Sequence, residues 1–306
     1  MRGKWRFAVA LIIVSLIIFG ACRKSVRQLP PPIIPGNDSV PVIDSIPGND
    51  TIPGNDSIPG NDTVPVPAPP KYNQVPVHYA INTNVGGFYE ALPPSYNSTD
   101  KKYPLLLFFH GGGELGDGNS QLPLVLRNSV TRRLAEKTLP VSFTVNGEKF
   151  SFIIISPQFK AWPSVNDVHD ILQYAVSNYR VDESRIYLSG LSMGGGVTWE
   201  YAGSRYGKSI AAIVPISGAS WADSAVAKKI ASNDVPGWAF HNMDDGSVTV
   251  NSTKRYVNIV NGQHPVHPIR MTLWPTGGHD AWTQASNPEY REEGMNIYEW
   301  MLQYKR

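Results

Sequence analysis

Beyond residue 70, short apolar runs alternate with longer segments that mix apolar and polar residues. Six of the apolar runs are dense enough to be buried strands: Tyr103–Phe109, Phe152–Ser156, Ile186–Ser189, Ala211–Ser217, Gly237–His241 and Ile269–Trp274. Four other segments have the pattern of amphipathic helices: Val165–Tyr179, Met193–Tyr206, Thr249–Val260 and Glu292–Gln303. The alternation predicts an α/β fold with a mostly parallel central sheet and helices on both faces, to which Val75–Ala91 adds one or two antiparallel strands.

The first 22 residues have the pattern of an export signal. Arg2, Lys4 and Arg6 precede a 15-residue apolar run, Phe7–Ala21, which is shorter than the roughly 20 residues that a membrane-spanning helix needs. Cys22 follows the run directly and is the only cysteine of the chain. An intramolecular disulfide and a four-cysteine zinc site are therefore both excluded.

The segment that ends at Cys22, Leu-Ile-Ile-Phe-Gly-Ala-Cys, resembles the lipobox of bacterial lipoproteins, although Phe19 stands where that family prefers Leu. In the family, removal of the signal leaves a lipid-modified cysteine as the new first residue. The resemblance implies that residues 1–22 are a lipoprotein signal peptide and that the protein is exported and membrane-anchored through Cys22, in the periplasm or on the cell surface. An uncleaved membrane anchor is the alternative.

Residues 23–70 are rich in proline and contain a six-residue repeat that starts at Pro35, typically Pro-Gly-Asn-Asp-Ser/Thr-Ile/Val. A proline in every repeat prevents a helix, and one small aliphatic residue per repeat leaves too little to bury. We interpret the segment as a disordered linker, and a stacked β-solenoid with six-residue rungs is the alternative. Residues 71–306 then form a single domain.

The composition suits a globular domain without a polyanionic partner. Hydrophobic residues make up 42% of the chain and aromatic residues 10%, enough for a sizeable core without a structural metal. The net charge is only +2, and the Lys and Arg residues are scattered. A nucleic-acid-binding protein normally shows a basic stripe, so this class is not expected.

A Gly-x-Ser-x-Gly motif, Gly190-Leu-Ser192-Met-Gly194, lies between a predicted strand and a predicted helix. A serine on such a sharp turn needs small neighbours, and the helix that follows directs free N–H groups and its positive dipole end toward the same place. The motif predicts that Ser192 is a nucleophile. A glycine-rich turn without catalysis is the alternative.

Three consecutive glycines follow the strongest apolar run, in the segment His110–Glu114. Such a loop can present bare N–H groups to an oxyanion, and we expect the amides of Met193 and Gly113 to be the donors. At the end of a strand, His110 is expected to be a buried ring that braces the loop rather than a base. Glu114 is either a loop-bracing hydrogen-bond partner, which we favour, or a substrate contact.

A catalytic serine needs a histidine that accepts its proton and a carboxylate that orients the histidine. Of the seven histidines, His279 follows the last predicted strand and two glycines, where an accessible ring can reach Ser192. Asp244 and Asp245 follow the preceding strand. One of them is expected to orient His279, and the other to be a solvated or helix-capping residue.

Together these motifs, in the order serine, acid and histidine, resemble the α/β-hydrolases, and in particular secreted esterases related to feruloyl and acetyl-xylan esterases and polyhydroxybutyrate depolymerases. The resemblance covers nearly all of residues 76–304. In this family the acid follows a His-Gly-x-x-Asp-x-x-Val pattern. His241, Asp245 and Val248 match the pattern while Asn242 replaces the glycine, so the resemblance favours Asp245 as the acid.

The resemblance implies a serine ester hydrolase that needs no metal or organic cofactor and removes acetyl or feruloyl groups from carbohydrate or similar esters. Trp162, Trp221 and Trp282 lie in loops beside the motifs and are either a stacking platform for a sugar or aromatic acyl group, or part of the core. Two other functions stay open: a prolyl-oligopeptidase-like serine peptidase with the same three residues, and an inactive glycan-binding lipoprotein on a hydrolase scaffold.

Overall fold

The computed structural model describes residues 70–306. The expected signal peptide, the lipidation site Cys22 and the linker up to residue 69 lie outside the described residues. None of the helices in the described range is long and apolar enough to cross a membrane.

The strands build one large sheet and a small hairpin. In chain order they are β1 Asn73–Val77, β2 Val85–Leu92, β3 Tyr103–Phe109, β4 Phe143–Val145, β5 Glu148–Phe150, β6 Ile153–Phe159, β7 Val181–Leu191, β8 Ala212–Ile216, β9 Trp238–Asn242 and β10 Arg270–Trp274. Eight of these strands form a sheet in the order β1-β2-β6-β3-β7-β8-β9-β10, and β4 pairs with β5. The pairs β1–β2 and β2–β6 are antiparallel, and the remaining pairs of the large sheet are parallel. The predicted mostly parallel sheet is confirmed.

Helices cover both faces of this sheet, as predicted. They are α1 Ser129–Ala135, α2 Val165–Asn178, α3 Met193–Ala202, α4 Ser224–Asn233, α5 Val250–Asn261, α6 Trp282–Ala285 and α7 Ile297–Leu302. Buried residues of α2, α3, α4 and α5 share one core cluster with Leu105 and Leu107, whereas those of α1, α6 and α7 share the other with Leu106 and Phe108. The alternation along β3 reflects the two-residue period of a strand that is buried on both faces.

Helix α3 is shorter than its pattern predicted. It was expected to continue to Tyr206, but it ends at Ala202. A side chain at Gly203 would place its Cβ 2.5 Å from the Val226 carbonyl oxygen, so α4 lies directly against the chain at this point. The end of α3 thus coincides with the close approach of α4. The apolar period of the α3 sequence does not reveal this approach.

The last helix begins later than its predicted start at Glu292. Gly294 has a φ of +82°, which is outside the helical range. The Asn296 side chain accepts hydrogen bonds from the N–H groups of Tyr298 and Glu299 and thereby caps α7. Four elements were not predicted at all: α1, α4, α6 and the β4–β5 hairpin. Each helix and strand among them has at most ten residues, which is too few for an apolar period to be recognised.

The parallel strands carry their loops to one edge of the sheet. The carboxyl ends of β3, β7, β9 and β10 are followed by residues 110–118, by Ser192, by residues 243–249 and by residues 275–281. In open α/β sheets, ligands bind at this edge. The topology therefore brings all four of these segments, with the glycine loop, Ser192, the two aspartates and His279, to the same edge of the sheet.

Candidate active site

Ser192 occupies the sharp turn between β7 and α3. Its backbone has φ 51° and ψ −117°, a conformation that non-glycine residues rarely adopt. A Cβ at Gly190 would lie 2.5 Å from the Gly194 carbonyl carbon, and one at Gly194 would lie 2.2 Å from the Phe109 carbonyl oxygen. No side chain fits at either position, which is the steric reason for the two glycines of the motif.

The side chains of Ser192, His279 and Asp245 form a hydrogen-bonded series. The Oγ of Ser192 lies 2.9 Å from Nε2 of His279, and Nδ1 of His279 lies 2.7 Å from Oδ2 of Asp245. A carboxylate can only accept, so Nδ1 donates and the neutral ring has Nε2 free to accept from the serine hydroxyl. The His279 side chain is 24% exposed and the Asp245 side chain is fully buried.

Asp245 is held by three hydrogen bonds and by a close contact with a second imidazole. Its Oδ1 accepts from the N–H groups of Ser247 and Val248, at 2.8 and 2.9 Å. Its Oδ2 lies within reach of His279 and of His241, whose Nε2 is 3.1 Å away. Burial opposes ionisation of this carboxyl, but the bonds from Val248, His279 and Ser247 outweigh it and lower the pKa of Asp245. The group is therefore a fixed negative charge beside His279.

His241 is a second imidazole on the same carboxylate, and its own partners fix its proton. The Nε2 atom faces two acceptors, the Val248 carbonyl oxygen at 2.9 Å and Asp245, so it must donate. The Nδ1 atom lies 2.8 Å from the Thr253 hydroxyl, which can donate to it. Burial lowers the pKa of His241, consistent with a neutral ring that supports the position of Asp245.

A family model described as phospholipase/carboxylesterase matches residues 96–285. The chain belongs to this family. The matched segment runs from just before β3 to the end of α6 and includes Ser192, Asp245 and His279. A search of curated proteins found no significant match.

Solved structures similar to this carboxylesterase-family protein support the α/β-hydrolase fold. A thermostable esterase is 23% identical, with a TM-score of 0.56 over 77% of this chain, and the chain spans 63% of that esterase's length. A ferulic acid esterase is 18% identical, with a TM-score of 0.53 over 71% of this chain and 95% of its own. A substrate-bound fluorophosphonate-binding serine hydrolase of Staphylococcus aureus is 16% identical, with a TM-score of 0.52 and coverage of 71% and 96%.

Asp244 braces the turn that carries His279. Its carboxylate accepts hydrogen bonds from the N–H groups of Gly277 and Gly278, at 3.2 and 2.8 Å. Asn242, which replaces the family's glycine, is buried and donates from Nδ2 to the Gly278 carbonyl oxygen at 3.0 Å. Asp244 is exposed, which agrees with the first of its two expected roles, a solvated residue, and its hydrogen-bond partners belong to a loop rather than to a helix.

Glu114 links the glycine loop to the loop of His279. One of its carboxylate oxygens accepts from the Gly111 N–H at 2.8 Å, and the other accepts from Nδ2 of Asn128 at 2.6 Å. Asn128 in turn accepts from the indole of Trp282 at 3.3 Å, and this indole packs edge-on against His279 with ring centroids 5.0 Å apart. Glu114 is therefore a loop-bracing residue, and no sequence pattern indicated its connection with Trp282.

Of the two expected oxyanion donors, Met193 follows Ser192 directly, and Gly113 lies two residues beyond Gly111, where a Cβ would be 3.4 Å from the Ser192 Cβ. Met193 is the first residue of α3, so the helix leaves its N–H without an internal partner. Gly113 lies in a short 3₁₀ turn, Gly112–Glu114, and is exposed. A Cβ at Gly111 would be 2.7 Å from Leu191, whereas at Gly112 and Gly113 it would meet nothing within 4 Å. The last two glycines therefore border open space.

Two of the three loop tryptophans line one cavity. The side chains of Trp162 and Trp221 are 55% and 92% exposed, which rules out core packing for both. They line a cavity of about 460 Å³ together with Glu200, Ala219, Ser220, Ser247, Val248, Thr249 and Ser252. The cavity adjoins the candidate active site because Ala219 donates its N–H to the Ser192 carbonyl oxygen at 2.8 Å. Trp282 contacts His279 instead.

Sequence reasoning missed Glu200. It is the only charged residue of α3, whose sequence is Met-Gly-Gly-Gly-Val-Thr-Trp-Glu-Tyr-Ala, and a single carboxyl in an otherwise apolar helix was a usable signal. Burial raises the pKa of Glu200, and a hydrogen bond from Ser220 partly opposes this shift. Residues 70–306 contain no cluster of three or more His, Cys, Asp or Glu side chains suited to hold a metal ion.

Proposed function

We propose that this protein is a serine carboxylesterase that removes acyl groups, of acetyl or feruloyl type, from carbohydrate esters. The observation that supports the reaction is the series Ser192–His279–Asp245, with its 2.9 and 2.7 Å contacts. Family membership agrees with ester hydrolysis. The exposed indoles of Trp162 and Trp221 beside the serine support a substrate with rings that can stack.

In the proposed acylation step, the Ser192 oxygen attacks the ester carbonyl carbon while His279 takes the hydroxyl proton at Nε2. The carbonyl electron pair moves to oxygen, and the amides of Met193 and Gly113 donate to this oxyanion. Asp245 stabilises the imidazolium that forms. When the carbonyl re-forms, the bond to the alcohol oxygen breaks, the alcohol takes the proton from His279, and the acyl group stays on Ser192.

In the proposed deacylation step, a water molecule repeats the attack on the acyl-serine. His279 accepts a proton from this water and returns it to the Ser192 oxygen as the acid leaves. The cycle thus consumes one ester and one water and yields one acid and one alcohol. The side chains named above and water perform every proton transfer.

Replacing the nucleophile tests this proposal. Ser192→Ala is expected to lower kcat on 4-nitrophenyl acetate by about 10⁴-fold or more, because only oxyanion stabilisation and substrate binding remain. Circular dichroism should show an unchanged fold, since the substitution removes a single partly exposed oxygen. Equal rates for the variant and the natural protein would refute the assignment. A panel of acetylated xylan, feruloylated oligosaccharides and short peptides then separates esterase from peptidase activity.

A further inference from the structure

The cavity beside Ser192 is walled by both apolar and hydrogen-bonding groups. Five of its nine lining residues carry a carboxyl or hydroxyl group: Glu200, Ser220, Ser247, Thr249 and Ser252. Two more, Trp162 and Trp221, present exposed indoles. A ligand suited to this space combines apolar faces with hydrogen-bonding groups, because the lining offers both kinds of contact.

Glu200 has a free acceptor toward this cavity. Its Oε1 accepts from the Ser220 hydroxyl at 2.9 Å, and Ser220 lies 3.0 Å from the hydroxyl of Tyr256, which fixes the carboxyl in place. Among residues 70–306, no donor bonds to the Oε2 atom of Glu200, and this oxygen is not sealed from solvent. A half-buried carboxyl held on one side and open on the other is suited to accept from a ligand hydroxyl.

Trp221 stands where two cavities meet. A second cavity, of about 370 Å³, shares Trp221, Thr249 and Ser252 with the first and is also lined by Asp223 and Arg255. The two cavities are therefore adjacent, and the exposed indole of Trp221 belongs to the wall of both. Two adjacent cavities that share one wall suit a ligand made of linked units, with one unit in each cavity.

We propose that the cavity of Trp162, Glu200 and Trp221 binds the sugar that carries the ester, with the neighbouring sugar reaching the second cavity. A pyranose ring has faces of polarised C–H groups that pack on the negative face of an indole, and an edge of hydroxyls that can donate to Glu200. The inference rests on the proposed esterase function, and it assigns this side of the active site to the alcohol part of the substrate.

Two substrates with the same acetyl group test the assignment. The variants Trp221→Ala and Glu200→Gln are expected to lower kcat/KM on an acetylated xylo-oligosaccharide by about tenfold or more, and on 4-nitrophenyl acetate by less than about twofold. The matched controls are Tyr79→Ala, which removes another exposed aromatic side chain, and Glu183→Gln, at the opposite end of β7 from Ser192. Both controls should leave both substrates unaffected.

A binding measurement separates this inference from the esterase proposal. Deacetylated xylo-oligosaccharide should bind to Ser192→Ala in calorimetry, and adding Trp221→Ala should abolish binding. If the oligosaccharide binds in this way but the natural protein has no esterase activity, only the proposed function is refuted. Equal losses on both acetyl substrates, or no oligosaccharide binding, would overturn the sugar site. A selective loss on a feruloyl aryl ester, with oligosaccharide esters unaffected, would also overturn it by assigning the cavity to the acyl group.

Discussion

Asp245 and Asp244 are adjacent in the chain but serve His279 in different ways. Asp245 is fully buried and bonds to the ring itself, whereas Asp244 is exposed and bonds to the backbone of Gly277 and Gly278. The first contact fixes which nitrogen carries the proton, and the second fixes where the loop lies. Asp245 thus sets the tautomer of the His279 ring, and Asp244 sets the position of the loop that carries it.

This division gives a matched pair of substitutions at the residue scale. Asp245→Asn should lower kcat on 4-nitrophenyl acetate by about 10³- to 10⁴-fold, because an amide can no longer fix the Nδ1–H tautomer of His279 or stabilise its charged form. Asp244→Asn keeps one oxygen acceptor, which can retain the shorter bond from the Gly278 N–H, and loses only the 3.2 Å bond from Gly277, so its effect should stay below about tenfold. A larger loss from Asp244→Asn than from Asp245→Asn would reverse the assignment of the acid.

At the scale of elements, His110 connects the carboxyl ends of β3 and β6. The ring is 1% exposed. Its Nε2 accepts from the Phe159 N–H at 3.0 Å, so in the neutral ring Nδ1 carries the proton and donates to the Gly111 carbonyl oxygen at 2.7 Å. His110 is thus a loop-bracing ring rather than a base, and protonating it would break the bond to β6.

The buried His110 ring makes the free energy of unfolding of the protein depend on pH. Burial lowers the pKa of His110 from 6.5 to about 4, so between these values the unfolded chain binds a proton that the folded protein does not. Stability should therefore fall as the pH falls, and His110 should contribute about 1 kcal/mol of this loss between pH 7.5 and 5.5. Urea unfolding of the natural protein and of His110→Gln across this pH range measures the loss of stability. The variant should be less stable throughout but show a shallower pH slope; equal slopes would contradict the prediction.

At the scale of the whole molecule, the catalytic domain is proposed to be tethered to a membrane through Cys22. The support is the lipobox resemblance and the proline-rich repeat that separates Cys22 from residue 71. A tether between Cys22 and residue 71 would let the active site reach polymeric substrate at a distance from the membrane surface.

Fractionation of cells that express the full chain tests the tether. The natural protein should partition into the detergent phase, because a lipid-modified cysteine adds acyl chains whose burial favours the membrane. Cys22→Ser should be recovered in the aqueous phase or should keep its uncleaved signal. Identical partition and size of the two proteins would contradict lipid modification at Cys22.

The sequence alone determined the alternation of the main strands with α2, α3, α5 and α7, the turn at Ser192 and the glycine loop after β3. These are local properties. A buried strand needs a run of apolar residues, and a serine with φ 51° between β7 and α3 leaves no room for side chains at Gly190 and Gly194. The same local signals failed for α1, α4, α6 and the β4–β5 hairpin, because each helix and strand among them has at most ten residues and is too short to show a clear apolar period.

Only the tertiary structure decided how the residues of the site are paired. Ser192 and His279 are 87 positions apart, and neither the contact of Asp245 with two imidazoles nor the link from Glu114 through Asn128 to Trp282 has a periodic signature. Local patterns predict what each segment of the chain forms by itself. Distances between side chains depend on how the sheet brings its loops together, and this arrangement placed Trp162, Glu200 and Trp221 around one cavity.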